Sequence, residues 1–184
     1  EYKYFEFNKL VTNFWLNVEF LRRSNEVFVA TKNMLNIKES LPFCFCTKTY
    51  FKDYELYKQD NLENICLYGF DVIFFRPDPP VDINYINATY ILSMVKSEKT
   101  LILNSPDAIR NKNEKLYIND FPSIAPKNIV TSDVNLIREF LKENNEIIIK
   151  PLNRCFSSGV FYLYHGDKNT NTIINTTTEN GKTT

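Results

Sequence analysis

Several things are scarce in this 184-residue chain, and each scarcity removes a class of function. Net charge is missing: 22 Lys+Arg balance 22 Asp+Glu, which leaves no electrostatic footprint for nucleic acid and no polybasic membrane patch. No apolar run approaches the length of a membrane span, and the opening EYKYFEFNKL lacks the pattern of a secretion signal. Histidine occurs once, at His165, and cysteine four times, at Cys44, Cys46, Cys66 and Cys155. A metal centre wants more Cys or His at ligand spacing, and a chain this long does not need a disulfide framework. The reading is therefore of buried free thiols in a reducing, cytoplasmic compartment. The glycosylation patterns at Asn87 and Asn175 carry little weight in that setting. An initiator Met is also lacking, so the chain is expected to be part of a longer product.

What is present is enough for a sizeable core. Hydrophobic residues make up 43% and aromatic residues 15%, and the length suits one domain plus part of another. Val11, Phe14, Trp15, Val18 and Leu21 recur at helical spacing and predict an amphipathic helix closed by Arg22 and Arg23. EVFVAT at 26–31 reads as the strand that follows, the second half of a βαβ unit. Residues 32–64 read as one or two edge strands, and PFCFCTK places Cys44 and Cys46 on one strand face.

The stretch around which the rest is organised is 70–82, FDVIFFRPDPPVD. Val72, Ile73, Phe74 and Phe75 read as a strand buried on both faces, as in a parallel sheet. The prolines that follow cannot extend it, because each lacks an N–H and has a fixed φ. Arg76 and Asp78 are thus presented on a stiff loop at the carboxyl end of a strand, where open α/β sheets bind ligands. An Arg–Asp pair that merely ties down the loop is the structural alternative.

Residues 83–96 form the next expected helix, with Ala88, Ile91, Leu92 and Val95 on one face. TLILN at 100–104 is the next strand, and Ser105-Pro106 opens a helix through about Tyr117. Strand and helix alternate over the first 120 residues, which predicts a parallel sheet. The proline-punctuated 121–130 marks a boundary between a domain at 1–120 and a second at 121–184. In the second, Thr131 or Ser132 caps a helix carrying Val134, Ile137 and Leu141. EIIIK and VFYLY are strands, and 151–159 joins them. The Asn- and Thr-rich tail has strand propensity and no amphipathic partner, so this domain is expected to stop before its core is complete.

Lys115 lies at the end of the helix before the connector, and Lys150 ends the strand EIIIK. If the second domain folds back over the first, both ammonium groups can reach one polyphosphate, each as a point charge with three donors. An ordinary solvated role for each lysine is the alternative.

RPDPPVDINYINATYIL, LILNSP, IRNKNEKLY, EIIIKPL and GVFYLY, in this order and spacing, resemble the bacterial glutathione synthetases of the ATP-grasp superfamily. The resemblance runs from about Val11 to Gly181. It implies an α/β fold: a pre-ATP-grasp parallel-sheet domain followed by an incomplete ATP-grasp domain. It also implies an ATP- and Mg2+-dependent ligase that joins glycine to γ-glutamylcysteine through an acyl phosphate, and a homo-oligomer when complete. By position, Lys115 and Lys150 match the family's nucleotide-phosphate lysines. Arg76 matches a position at the mouth of the substrate cleft, assigned to catalysis, and Asp78 looks like its structural companion. Asn113 and Glu114 belong to the same signature without a separate role.

One departure stands out. The family's glycine-rich loop, similar to GxGGxGVF, reads Arg154-Cys155-Phe156-Ser157-Ser158-Gly159-Val160-Phe161 here. Only Gly159 survives from it, and Phe156 is expected to obstruct the approach of backbone N–H groups to phosphate. The family's later segment, with its magnesium ligands, is expected to lie beyond Thr184. No metal ligand is named in this chain, and the isolated 184 residues are expected not to turn over. Two alternatives stay open: a degenerate, non-catalytic relic or nucleotide- or peptide-binding module of the same fold, and an ATP-grasp ligase with a different acceptor.

Overall fold

The structure, a computed structural model, describes residues 2–4, 9–78, 80–96, 98–154 and 157–184. The chain divides into two compact units. The first comprises Glu1–Asp78 with Ile83–Ile109, and the second Pro79–Asp82 with Arg110–Thr184. In the first, chain order runs β1 (Tyr2–Tyr4), α1 (Thr12–Arg22), β2 (Phe28–Val29), β3 (Leu35–Lys38), β4 (Leu41–Lys52), β5 (Glu55–Gln59) and β6 (Glu63–Cys66). It continues with β7 (Val72–Phe74), α2 (Ile83–Ser93), β8 (Leu101–Leu103) and α3 (Pro106–Asn111), whose last residues pass into the second unit. The second unit then holds α4 (Val134–Asn144), β9 (Glu146–Ile149), β10 (Phe161–Tyr164) and α5 (Thr170–Thr177).

The expected parallel arrangement is present in one pair, β7 beside β8, with Val72 opposite Leu101 and Phe74 opposite Leu103. The larger sheet is antiparallel. β4 is its spine, pairing with β2, β3, β5 and β6, rather than one of the edge strands expected over 32–64. Two-residue loops make this possible. Glu39 and Ser40 join β3 to β4, and Asp53 and Tyr54 join β4 to β5, all four at positive φ. Positive φ at both central residues is the type I′ hairpin conformation, whose twist matches that of the flanking strands. β2 likewise runs antiparallel to β4, so no βαβ crossover links α1 to a parallel partner there.

Along β4 the burial alternates and then changes phase. Pro42, Cys44 and Cys46 are buried, and then Thr47 and Thr49. Even and odd positions of a strand face opposite sides, so the two halves of β4 serve two cores. Cys44 and Cys46 pack with Leu67, Phe75, Tyr85, Ala88 and Leu92, so the expected shared face of the two thiols is observed. Beyond the switch, Phe51 packs against Phe14, Val18 and Leu56, beneath α1. The Thr49 hydroxyl lies 2.9 Å from buried Asn17 Oδ1 and 3.0 Å from the Val27 carbonyl, which satisfies the polar atoms carried into that layer. Trp15 leaves the predicted face. It is 53% exposed, one residue past buried Phe14, and donates Nε1–H to the Lys9 carbonyl.

Burial pushes the Cys44 thiol up to about 12, with Cys46 adding to it, and the Cys46 thiol up to about 11, with help from Glu63. The unfolded chain releases these protons first, from near the ordinary value of 9.0. Their contribution to stability is therefore full below about pH 9 and is lost as pH rises through 11 to 12. Tyr85, raised by burial, acts in the same direction. Urea midpoints followed across this window should fall, and replacing both cysteines with Ala should flatten the fall. An unchanged slope would contradict the assignment.

β7 is not buried on both faces. Ile73 and Ile102 turn to the core, whereas Val72, Phe74, Leu101 and Leu103 share the other face at 39–55% exposure. Among the described residues the parallel pair is only two strands wide, and the Phe20 ring centroid lies 5.4 Å from that of Phe74.

In the second unit, β9 and β10 pair antiparallel, with Ile147 opposite Leu163, and 150–160 connects them. Asp133, not Thr131 or Ser132, caps α4: its carboxylate accepts from the N–H groups of Asn135 (2.7 Å) and Leu136 (3.4 Å). The threonine-rich tail is the larger correction. It forms helix α5, which sends Ile174 into a core with Ile137, Leu141 and Leu163. This layer covers one face of the hairpin and gives the tail an apolar partner that its sequence pattern did not show.

Candidate functional site

The carboxyl ends of β7 and β8 open onto a groove of about 360 Å³ in the first unit, lined by Asn13, Phe75, Arg76, Asp78, Tyr85 and Asn104 among others. The sequence foresaw Arg76 and Asp78 at such a place. Phe75 is buried and anchors the strand end, its N–H bonded to the Leu103 carbonyl. Asn104 Nδ2 reaches the Phe75 carbonyl at 3.4 Å. Among the described residues, however, no ion pair joins Arg76 to Asp78. Arg76 is held by Asn13, which accepts from its Nε at 2.9 Å and donates to its backbone carbonyl at 3.0 Å. The loop is tied to the first turn of α1 by that amide, and the guanidinium Nη groups have no partner among the described residues. Sequence reasoning passed over Asn13, because one amide at the start of a helix carries no distinguishing pattern. Pro79 lies outside the described residues.

A second cluster gathers in the second unit around the loop after β9. Lys115 is not on a helix: α3 ends at Asn111, and Asn113 folds the following residues into a turn, its Oδ1 accepting from the N–H of Lys115 (2.9 Å) and Leu116 (3.3 Å). This is the local bonding that makes asparagine a helix-ending residue. The Lys115 ammonium donates to the Arg154 carbonyl at 2.6 Å and to Glu114 Oε1 at 2.9 Å, with the Leu152 carbonyl at 3.5 Å. Asn113 Nδ2 also reaches the Leu152 carbonyl, at 3.4 Å. Asn113 and Glu114, which carry no separate role in the sequence reading, thus organise the turn and share its lysine.

Lys150 is exposed and has no partner among the described residues. It continues the alternation of β9, on the side of Ile148 and Glu146, opposite the helices. That face also carries Tyr162 and Tyr164, each more than half exposed. Tyr162 donates its hydroxyl to Glu146 Oε2 at 2.6 Å, a bond that raises its pKa. Gly159 takes φ +75°, and a Cβ there would lie 2.9 Å from Pro151 Cγ and 3.4 Å from Arg154 Cδ. Phe156, the residue expected to obstruct the loop, lies outside the described residues, as does Cys155.

These residues fit an anionic ligand unequally. Lys150 offers a free charge beside an exposed apolar and aromatic face, whereas the three donors of Lys115 already have acceptors in range. For a divalent metal the residues do not fit: no group of three or more His, Cys, Asp or Glu among the described residues is placed to hold one. Nor is any described helix long and apolar enough to cross a membrane.

Comparison with known proteins gives two family matches. Residues 9–110 match the model for the prokaryotic glutathione synthetase N-terminal domain, and residues 114–184 the model for the prokaryotic glutathione synthetase ATP-grasp domain. The chain is 42% identical over 132 residues to the glutathione synthetase of Nitrosomonas europaea, covering 72% of this chain and 41% of that protein. It is 39% identical over 110 residues to that of a Synechocystis species, covering 60% and 34% respectively. With the glutathione synthetase of Brucella melitensis biotype 1 the identity is 33% over 165 residues, or 89% of this chain and 53% of the relative. The matched region therefore spans between a third and about half the length of these relatives.

Proposed function

The chain belongs to the prokaryotic glutathione synthetase family, and from that membership we propose that it is the N-terminal portion of an ATP-dependent ligase joining glycine to γ-glutamylcysteine. The first unit corresponds in this reading to the pre-ATP-grasp domain and the second to the start of the ATP-grasp domain. ATP supplies the phosphoryl group that activates the cysteinyl carboxylate, and the glycine amine then displaces phosphate from the acyl phosphate. The reaction is assigned to the cytoplasm, in keeping with the free thiols of Cys44, Cys46 and Cys66.

The observation that carries the reading for this chain's own residues is Lys150: an exposed ammonium just past the end of β9, without a partner among the described residues. It neutralises phosphate oxygens as a point charge. Gly159 keeps the loop close enough to β9 to border the same site. Lys115 holds the loop through the Arg154 carbonyl and reaches phosphate by exchanging the Glu114 carboxylate for it. In the first unit, Arg76 binds a substrate carboxylate through its Nη pair, unpartnered among the described residues and forming the planar fork that matches a carboxylate.

Lys150→Ala should weaken ATP binding about tenfold, measured by titration calorimetry, as expected for a lost charge-assisted contact. Unchanged affinity would remove Lys150 from the site. One observation favours a second reading, a degenerate, non-catalytic relic of the same fold: the ammonium of Lys115 is occupied by the loop. That reading predicts no ATP affinity in the unsubstituted chain either.

A further inference from the structure

We propose that Asn13 is a positioning residue for Arg76, setting the guanidinium for end-on, two-point binding of a substrate carboxylate. The inference rests on the reading of Arg76 as a substrate contact and adds a residue to which that reading gives no part. The two residues are 63 positions apart in sequence, yet they meet through two hydrogen bonds of opposite sense. Asn13 Oδ1 accepts from Arg76 Nε at 2.9 Å, and Asn13 Nδ2 donates to the Arg76 carbonyl at 3.0 Å. One amide thus grips both the side chain and the backbone of the same residue.

The consequence follows from arginine's geometry. A guanidinium has five donors in one plane. The bond from Nε uses one and leaves the two Nη groups, whose parallel N–H bonds suit the two oxygens of a carboxylate. Holding Nε also fixes the plane of the group before ligand arrives, which removes part of the ordering cost of an exposed, rotamer-rich side chain. The grip on the carbonyl holds the start of the 76–78 loop as well. Asp78 and Asn104 line the same groove, but no hydrogen bond or ion pair links either to the guanidinium among the described residues.

The test uses the 184-residue chain labelled with nitrogen-15 and γ-glutamylcysteine as the probe. In the free chain the Arg76 Nε–Hε signal, assigned by its loss in Arg76→Lys, should be sharp and slow to exchange with water. In Asn13→Ala it should become broad and fast-exchanging while the backbone spectrum elsewhere is kept, since Ala is well tolerated in a first helical turn. The dissociation constant for γ-glutamylcysteine should rise about thirtyfold in Arg76→Ala and about fivefold in Asn13→Ala, a free fork being costlier to order than a held one. If Arg76→Ala weakens binding and Asn13→Ala does not, the positioning role is wrong while the substrate reading stands. If Arg76→Ala has no effect, or the unsubstituted chain does not bind the probe, the substrate reading fails and takes this inference with it. An Nε–Hε signal already averaged in the free chain would overturn the positioning role without reference to any ligand.

Discussion

Truncating Leu163 to Ala is expected to destabilise the second unit by about 3 kcal/mol, the usual cost of opening a cavity in a closed core. Leu163 is completely buried and packs among Ile137, Leu141 and Ile174. It is the point at which α4, α5 and the hairpin β9–β10 meet. A neighbour one residue away provides the control. Tyr162 is 58% exposed on the opposite face, so Tyr162→Phe removes only its bond to Glu146 and should cost far less than the Leu163 truncation. Hydrogen exchange at the amides of Ile147–Ile149 reads both variants locally. Equal protection in the two would mean that the hairpin is not held by this core.

Gly159→Val should be nearly as damaging, at about 3 kcal/mol from backbone strain and overpacking together. At φ +75° a β-branched residue is strained whatever the space, and here the new Cβ would also press on the Pro151 ring at 2.9 Å. Pro151 is itself buried, so its ring cannot yield cheaply. Gly166 makes the comparison: its φ is +94°, but nothing lies within 4 Å of an added Cβ, so Gly166→Val should show the strain without the collision. A smaller loss at Gly159 than at Gly166, by thermal melting, would sink the packing argument.

What the sequence disclosed depended on the kind of signal each segment carries. Helical spacing is read from the chain itself, so α1, α2 and α4 were visible in their apolar positions, as were the strands of EIIIK and VFYLY. Turn geometry was hidden, because Glu39-Ser40 and Asp53-Tyr54 adopt positive φ without the Asn-Gly or Asp-Gly signature that announces a two-residue hairpin. Without those turns, 32–64 looked like edge strands, and β4 could not be seen as the spine of the sheet. The tail failed for a related reason. Threonine favours strands by propensity, but Ile173 and Ile174 have a core to enter, and packing overrides a weak local preference. At the candidate site, Arg76 and Lys150 were legible from residue type and from their place at strand ends. Their partners were not, since the Asn13–Arg76 and Lys115–Arg154 bonds join residues far apart in the chain.

The change of phase at Cys46 and Thr47 has a bearing on how the first unit tolerates error. Sliding β4 by one residue against its neighbours would expose Cys44 and Cys46 on one side and Thr49 and Phe51 on the other at the same moment. The alignment of this strand is thus checked twice, once by each of two cores that share no buried side chain. A one-residue deletion between positions 41 and 46 could keep one core in step only by throwing the other out. Length between the two hairpins, more than the identity of any residue in them, is what the first unit cannot afford to change.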